Sequence, residues 1–595
     1  MKQLFILLSA FLLASCQEFL TRDPENEIGS EEFMRTENDL VLYTNGFLQR
    51  HMPDEETLAW GDQYSDNIAT RTSTQFLIGD NWGPDEQGGW GGGASGKWSE
   101  LRNVNYFLDN LPKARSNVSD ATYRHYEGVG RFWRAYFYYS MVRTFGDVPW
   151  YDSEIDIADA DQLYKPRDSR EFVMDKILED LNFAAENCSA EDRYVRSSTL
   201  INKWVVLAFK SRVCLFEGTY RNYHEELGLK ASAPKFLREA VSAAEELMTT
   251  GPYRLVNNPA NVATQYRSLF TSENLNTTEV ILGLSFRTDV RMHSITWKLF
   301  SASFGNNWSL TQPFVNQYLM LDGSRFTDLP GYEQKTYREV FENRDRRLEQ
   351  TVISPSYTRR ISGAVRRDAP NFALTSTGYQ PIKWALDDDV HVGLATANNS
   401  IPMFRYAEVL LNYAEAKAEL GEMDVPEWDR SIRLLRERAG VNGAPPAAYD
   451  PYLAAYYQHQ TTDKWILEVR RERGVELVFE NVRYDDIMRW RMGELLEKTW
   501  QGIYIPQKGE VYDLNGDGAP DLSVVDAEPP ANQRIPGVAY VVLGSVYRLS
   551  EGDRGNLEFG FSQGRRWLDK KYLRPIPTSA RQVNPALGQN PGWER

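Results

Sequence analysis

Residues 131–150 read RFWRAYFYYSMVRTFGDVPW. Apolar and aromatic residues from Phe132 and Trp133 through Tyr136–Tyr139 to Val142 and Phe145 cover almost the whole circumference of a helical wheel. A helix that is apolar on every face is buried in a large protein or a membrane. Arg131, Arg134 and Arg143 interrupt this run, and it falls short of the ~20 apolar residues that cross a bilayer. The stretch therefore predicts a core helix whose arginines are paired or snorkel at its rim. Gly146 is placed to cap it, and Pro149 prevents its continuation.

The bulk numbers fit a soluble globular chain of 595 residues, with 25% charged and 42% hydrophobic side chains. A net charge of −16 argues against nucleic acid or an anionic membrane surface as a partner. The 16 Trp and 32 Tyr exceed what a core needs and leave flat amphipathic rings for a ligand surface. Residues 1–15 have the basic start, short apolar run and small-residue end of a signal peptide. Leu13-Ala14-Ser15-Cys16 fits a bacterial lipobox, which makes Cys16 the acylated first residue of the mature chain. Several acyl chains at ~0.8 kcal/mol per buried CH₂ would anchor it stably. Residues 17–30 are a polar, acidic tether. Cys188 and Cys214 have no metal-ligand spacing and are either a disulfide or two free thiols.

A globular region is expected over 31–595. Its N-terminal helical part, 31–250, has a first helix over 31–51 and then an aromatic loop over 58–98, rich in Gly, Asp and Asn, that cannot hold a helix. Trp82 and Trp90 in that loop are candidate ligand platforms, with Asp66, Asn67 and Arg71 as polar partners. Helices are predicted over 169–187, 199–217 and 234–249, with Ser169 as an N-cap and Pro234 in a first turn. Such recurring pairs suggest tetratricopeptide-like stacking. Residues 251–402 form a mixed insertion with a strand near Glu279–Phe286 and a helix over Gln312–Leu321, and Trp297 and Trp308 are its candidate binding rings.

The C-terminal part, 403–595, opens with FRYAEVLLNYAEAKAEL, whose Phe404, Ala407, Leu411, Ala414 and Ala418 make a buried helical stripe. In LEVRRERGVELVFENVRYDDIMRW, Glu468, Glu472, Glu476 and Glu480 recur every four residues, which repels unless arginines neutralise them. An Arg–Glu lock between helices is the favoured reading over a metal or acid/base site, with Arg470, Arg471, Arg473, Arg483, Arg489 and Arg491 as nearby cations. Asp513, Asn515, Asp517 and Gly518 fit the start of a calcium loop that Asp521 would complete, although position twelve is Val524 rather than Glu. One structural calcium ion or a plain Asn/Asp/Gly turn both fit. The Pro-rich end, KYLRPIPTSARQVNPALGQNPGW, predicts an extended strap held by Tyr572, Leu573, Ile576 and Trp593.

The strings RFWRAYFYYSMVRTFGDVPW, RYAEVLLNYAEA, RRERGVELVFENVRYDDIMRW and the terminal strap, in that order, resemble the SusD/RagB family of outer-membrane nutrient-binding lipoproteins. That resemblance implies a mainly α, tetratricopeptide-like scaffold of about four helical pairs carrying loop-rich and short β insertions. It also implies a lipid-anchored protein of the outer-membrane surface that binds a glycan and hands it to a SusC-like TonB-dependent transporter. Capture of peptides, as in RagB-like relatives, is the alternative cargo. A surface hydrolase is the rival from another class, but no nucleophile elbow, phosphate loop or zinc-binding HExxH string occurs, and a non-enzyme is expected.

Overall fold

The computed structural model describes residues 33–78, 82–91, 97–303 and 305–594. The segments expected to be a signal peptide, the lipidated Cys16 and a tether lie outside the described residues. The protein is mainly α. Its longer helices are α1 (Glu37–His51), α2 (Lys97–Asn110), α3 (Asp120–Phe145), α4 (Arg170–Asn187), α5 (Lys203–Tyr223), α6 (Ala233–Thr250), α7 (Tyr406–Glu419) and α8 (Lys464–Leu477), followed by the shorter α9 (Arg483–Arg489). Polar residues start most of them: Thr36 and its capping box, Ser119, Ser169, Asn202 and Asp463 accept backbone amides of the first turn. Helices stack in succession, α2 on α3, α3 on α4, α4 on α5, α5 on α6, α6 on α7 and α7 on α8.

Helix α3 is the centre of this array. Phe132, Trp133 and Tyr138 are fully buried, and its arginines are all paired. Arg134 makes a two-pronged bridge to Asp180 of α4 at 2.7 Å to each oxygen. Arg131 bonds Glu127 at 2.8 Å, and Arg143 meets Asp485 beyond α8. Gly146 closes the helix at φ +75°, where a Cβ would lie 2.9 Å from Leu573 of the strap, so both the backbone conformation and the close approach require glycine.

The expected Arg–Glu lock is real, but its cations come from farther away than the sequence suggested. Glu472 is held by Arg347 (2.6 Å) and Arg436 (3.0 Å), and Glu476 by Arg347 (2.9 Å), Arg405 (3.0 Å) and Arg438 (2.5 Å). Of the neighbouring arginines, Arg471 reaches Glu468 at 3.1 Å, while Arg473 turns to Asp486 and Arg489 to Glu415 and Asp486. Glu480 is not on the helix. The chain leaves α8 at Val478, and Phe479 and Asn481 take positive φ of 61° and 60°. That turn aims Glu480 at Arg405 and Lys383, 2.7 Å from each.

Three further expectations are corrected. The helix predicted from Phe404 begins at Tyr406, because Ile401–Arg405 form a strand paired antiparallel with Val280–Leu284, and extended backbone carries Arg405 to Glu279 at 2.7 Å. The helix predicted over Gln312–Leu321 ends at Val315, and Leu319 and Met320 pair instead with Arg325 and Arg344. The strap contains a one-and-a-half-turn helix, Thr578–Val583, which fits between its prolines. Cys188 and Cys214 are free, buried thiols. Among the described residues no helix is long and apolar enough to cross a membrane.

Buried histidines set an acid limit. His125 Nδ1 accepts the Ser189 amide (3.1 Å) and His293 Nδ1 that of Ile295 (3.2 Å), contacts that a protonated ring loses. Burial pulls both rings down to about 4. A depressed folded pKa stabilises fully above the unfolded value near 6.5, and that stability is lost as pH falls toward 4. Urea unfolding should show stability falling between pH 6.5 and 4, by on the order of 2–3 kcal/mol per ring, with a shallower slope in His125→Asn. An unchanged slope in that variant would contradict the assignment.

Candidate functional site

The structure brings the sequence-selected loops together, though not as a row of exposed rings. Ile68–Ala69 pair antiparallel with Ser309–Leu310, so the 58–78 loop and the 295–310 segment form one surface. Trp308 is buried and stacks on Trp60 with centroids 3.9 Å apart and planes within 2°, while its Nε1 donates to Gln63 (3.2 Å). Asn67 is buried too, its backbone oxygen accepting the Thr311 amide. Arg71 is exposed, but its guanidinium donates to the Ala302 carbonyl (3.2 Å) and to Asn307 Oδ1 (3.0 Å). Trp297 is half-buried on the short helix Ile295–Leu299. Asp66, Asn67 and Trp308, expected as ligand contacts, are thus buried and take part in holding the loops.

Asp66 shows what they hold. Its carboxylate takes two bonds from Arg483, at 2.9 and 2.8 Å, and a third from Tyr456 Oη at 2.6 Å. Burial pushes the Asp66 carboxyl up, and the Arg483 guanidinium more than reverses this, leaving it below the usual range. Four residues earlier, Asp62 accepts the backbone amides of Arg483 (2.9 Å) and Glu480 (3.2 Å). Burial pushes that carboxyl up to about 7, against those two amides. Gly61 lies so close to Asn481 that a Cβ would overlap its side chain at 1.7 Å. The aromatic loop is thereby clamped to the start of α9.

The clamp sets two tyrosines around one pocket. Tyr64, two residues before Asp66, and Tyr484, next to Arg483, line a basin of about 240 Å³ together with Trp82, Thr74, Gln75 and Arg574. Tyr64 is 41% exposed, and Trp82 and Tyr484 are half-buried, so parts of three rings face the basin. Trp82 is fixed edge-on by Phe76 (4.9 Å) and Trp593 (5.7 Å), and the Arg574 guanidinium lies 3.3 Å over the Phe76 ring. Rings beside hydroxyl, amide and guanidinium donors suit a flat, hydroxyl-bearing ligand.

The scaffold around this basin is a known one. A family model described as the SusD family matches residues 289–593, and one described as starch-binding, associating with the outer membrane, matches 25–215. The chain belongs to the SusD family. A SusD-like protein P38 of Formosa agariphila is 24% identical over 505 residues, covering 81% of this chain and 90% of that one. A SusD-like protein of Bacteroides ovatus is 22% identical, covering 84% and 85%. Two solved Bacteroides fragilis structures share the fold: a SusD-like protein with TM-score 0.67 at 20% identity, over 96% of this chain and 100% of that one, and a SusD-like carbohydrate-binding protein with TM-score 0.64 at 19%, over 93% and 99%.

Elsewhere in this SusD-family chain, Trp90 is buried, with Trp98 (5.5 Å) and Phe145 (5.1 Å) packed edge-to-face against it. Asp513, Asn515, Asp517 and Asp521 do gather in one turn, but around backbone amides. Asp513 accepts from Gly516 (2.6 Å) and Gly518 (3.0 Å), Asp517 from Ala519 (2.8 Å) and Asp521 from Leu514 (2.7 Å). Among the described residues no group of three or more His, Cys, Asp or Glu is placed to hold a metal ion. Tyr64, Tyr484 and Arg574 were not singled out in the sequence. Tyr64 and Tyr484 adjoin Asp66 and Arg483, which were noted, but the pairing that joins them spans 417 residues.

Arg483→Met should unfold the clamp. Removing one partner of a buried ion pair costs about 3–5 kcal/mol, and limited proteolysis should then cut first within 61–78. A variant as stable and as protease-resistant as the parent would show that the bridge does not hold the loop.

Proposed function

We propose that this SusD-family protein is a cell-surface lipoprotein, anchored through Cys16, that binds a glycan at the Tyr64–Trp82–Tyr484 basin. It would deliver that glycan to a SusC-like TonB-dependent transporter in the outer membrane. The observation that carries the reading is the basin itself, three rings, Trp82 among them held edge-on by Phe76 and Trp593, next to Thr74, Gln75 and Arg574. Sugar faces stack on such rings, and platforms already rigid lose little entropy on binding. The volume is below the ~300–1,000 Å³ of ordinary ligand pockets, so it would seat one residue of a longer chain. Family membership and a neighbour described as carbohydrate-binding support the same reading. The protein would hold its cargo without cleaving it.

Gel electrophoresis through soluble polysaccharides, beginning with starch, followed by calorimetry with the retarding glycan, tests the cargo. Trp82→Ala and Tyr64→Ala should each weaken binding about tenfold, the effect of losing ~1–1.5 kcal/mol of ring contact. Unchanged affinity in both removes the basin as the site. If no glycan binds the parent chain while peptides do, the cargo is peptide. Release of new reducing ends would replace the whole reading with hydrolysis.

Anchoring is tested separately. Radiolabelled palmitate should enter the exported chain and be absent from Cys16→Ala, which should appear in the soluble fraction. A parent chain without label would end the lipoprotein reading.

A further inference from the structure

A second cavity, a groove of about 750 Å³, is larger than the basin and shares the 82–91 loop with it. Its walls are that loop at Gln87–Gly91, helix α2 at Trp98–Asn105, the segment after α3 from Pro149 to Leu163, and the strap from Pro577 to Leu587. Its character differs from that of the basin. The lips are aliphatic and open to solvent: Ile157 is 88% exposed, Val583 69% and Leu163 36%. The tryptophans of its floor meet other rings, and neither offers a free platform: Trp98 touches Trp90 (5.5 Å), Phe137 (5.3 Å) and Tyr151 (5.9 Å). Exposed aliphatic lips around a concavity mark a site for another apolar chain rather than for a sugar.

Two polar features narrow the occupant. The lip that carries Ile157 reads DSEIDIADAD over 152–161, with five carboxylates and no lysine or arginine. Among the described residues only Glu154 has a cation, Arg102 at 3.5 Å, itself on the surface, while Asp156 and Asp159 accept amides of their own turns. Apolar lips with an acidic edge call for apolar side chains flanked by positive charge. In the wall, Asn105 is 1% exposed and donates from Nδ2 to the carbonyls of Tyr151 and Ser153, both at 3.1 Å. Its Oδ1 has no hydrogen-bond partner among the described residues. A buried amide oxygen left unpaired is costly, and as this one is closed off from solvent a backbone N–H entering the groove would satisfy it only with a shift of the wall.

We propose that this groove is a docking site for an extended segment of a partner protein, with apolar residues set between the acidic lip and the strap and lysine or arginine on either side. The site is independent of the glycan basin, sharing with it only the loop and the strap as walls. Charge would draw the segment in, and burial of Ile157 and Val583 would hold it.

The test uses the full exported chain and three fluorescein-labelled decapeptides: alternating Lys-Leu, alternating Glu-Leu, and all-Lys. Fluorescence anisotropy should show saturable binding of the Lys-Leu peptide that weakens with salt, and at least tenfold weaker binding of the other two. Ile157→Asp and Val583→Asp change exposed side chains outside the basin, so both should fold and bind glycan normally while losing at least tenfold in Lys-Leu affinity. Equal binding of all-Lys would reduce the effect to net charge and overturn the proposal. So would unchanged affinity in both variants, displacement of the peptide by the retarding glycan, or stronger occupation by a fluorescent fatty acid.

Discussion

The structure depends on the neutralisation of one buried column of carboxylates. Along α8 and the turn after it, Glu468, Glu472, Glu476 and Glu480 sit where water scarcely reaches, each within hydrogen-bonding distance of at least one arginine or lysine. Burying one such ion alone costs several kcal/mol even after relaxation, so the charges and counter-charges must assemble together. Arg347, Arg405, Arg436 and Arg438 come from segments outside α8, and Glu279 from the strand region before them. The mixed insertion and the C-terminal helices are thereby fixed to one another by charge geometry as well as by apolar packing. The chain leaves the helix at Val478, and from the turn that follows Glu480 reaches both Arg405 and Lys383.

That departure leads directly to the basin. The turn that displaces Glu480 presents its own backbone amide and that of Arg483 to Asp62, and the Arg483 side chain to Asp66. The aromatic loop inherits its position from the charged core, and Tyr64 and Tyr484 are set by residues that touch no ligand. Asp62 and Asp66 respond oppositely to burial: Asp66, beside a guanidinium, stays below the usual range, while Asp62, which accepts amides and has the Asp486 and Glu480 carboxylates nearby, is raised by burial to about 7. The Asp62 contribution is greatest in acid and fades as pH rises through that value, the reverse of the buried histidines.

Local signals in the sequence were reliable where a single helix decided the outcome. The all-round apolar run of α3, its glycine stop, the Ser169 cap and the stripe of α7 are statements about neighbours within a few turns, and they hold. The regular spacing of glutamates on α8 revealed that arginines were needed but not which ones, because partners arrive from up to 129 residues away. The same limit applied at the candidate site. Tryptophans in a glycine-rich loop look like platforms, yet Trp308 is stacked on Trp60 and Trp90 is boxed in by Trp98 and Phe145. Whether a ring faces solvent depends on what folds over it from distant segments, and periodicity carries no record of that. Asp66 and Arg71 were picked for their chemistry, and the structure uses that chemistry to hold loops in place.

The strap ties the two concavities to each other. Arg574 closes the basin, Pro577 to Leu587 wall the groove, and Asn590 donates to the Phe145 carbonyl at the end of α3 (2.8 Å). One segment thus contributes a wall to each concavity. A chain lacking residues 574–590 could stack most of its helices and still own neither surface, so the two would be lost together.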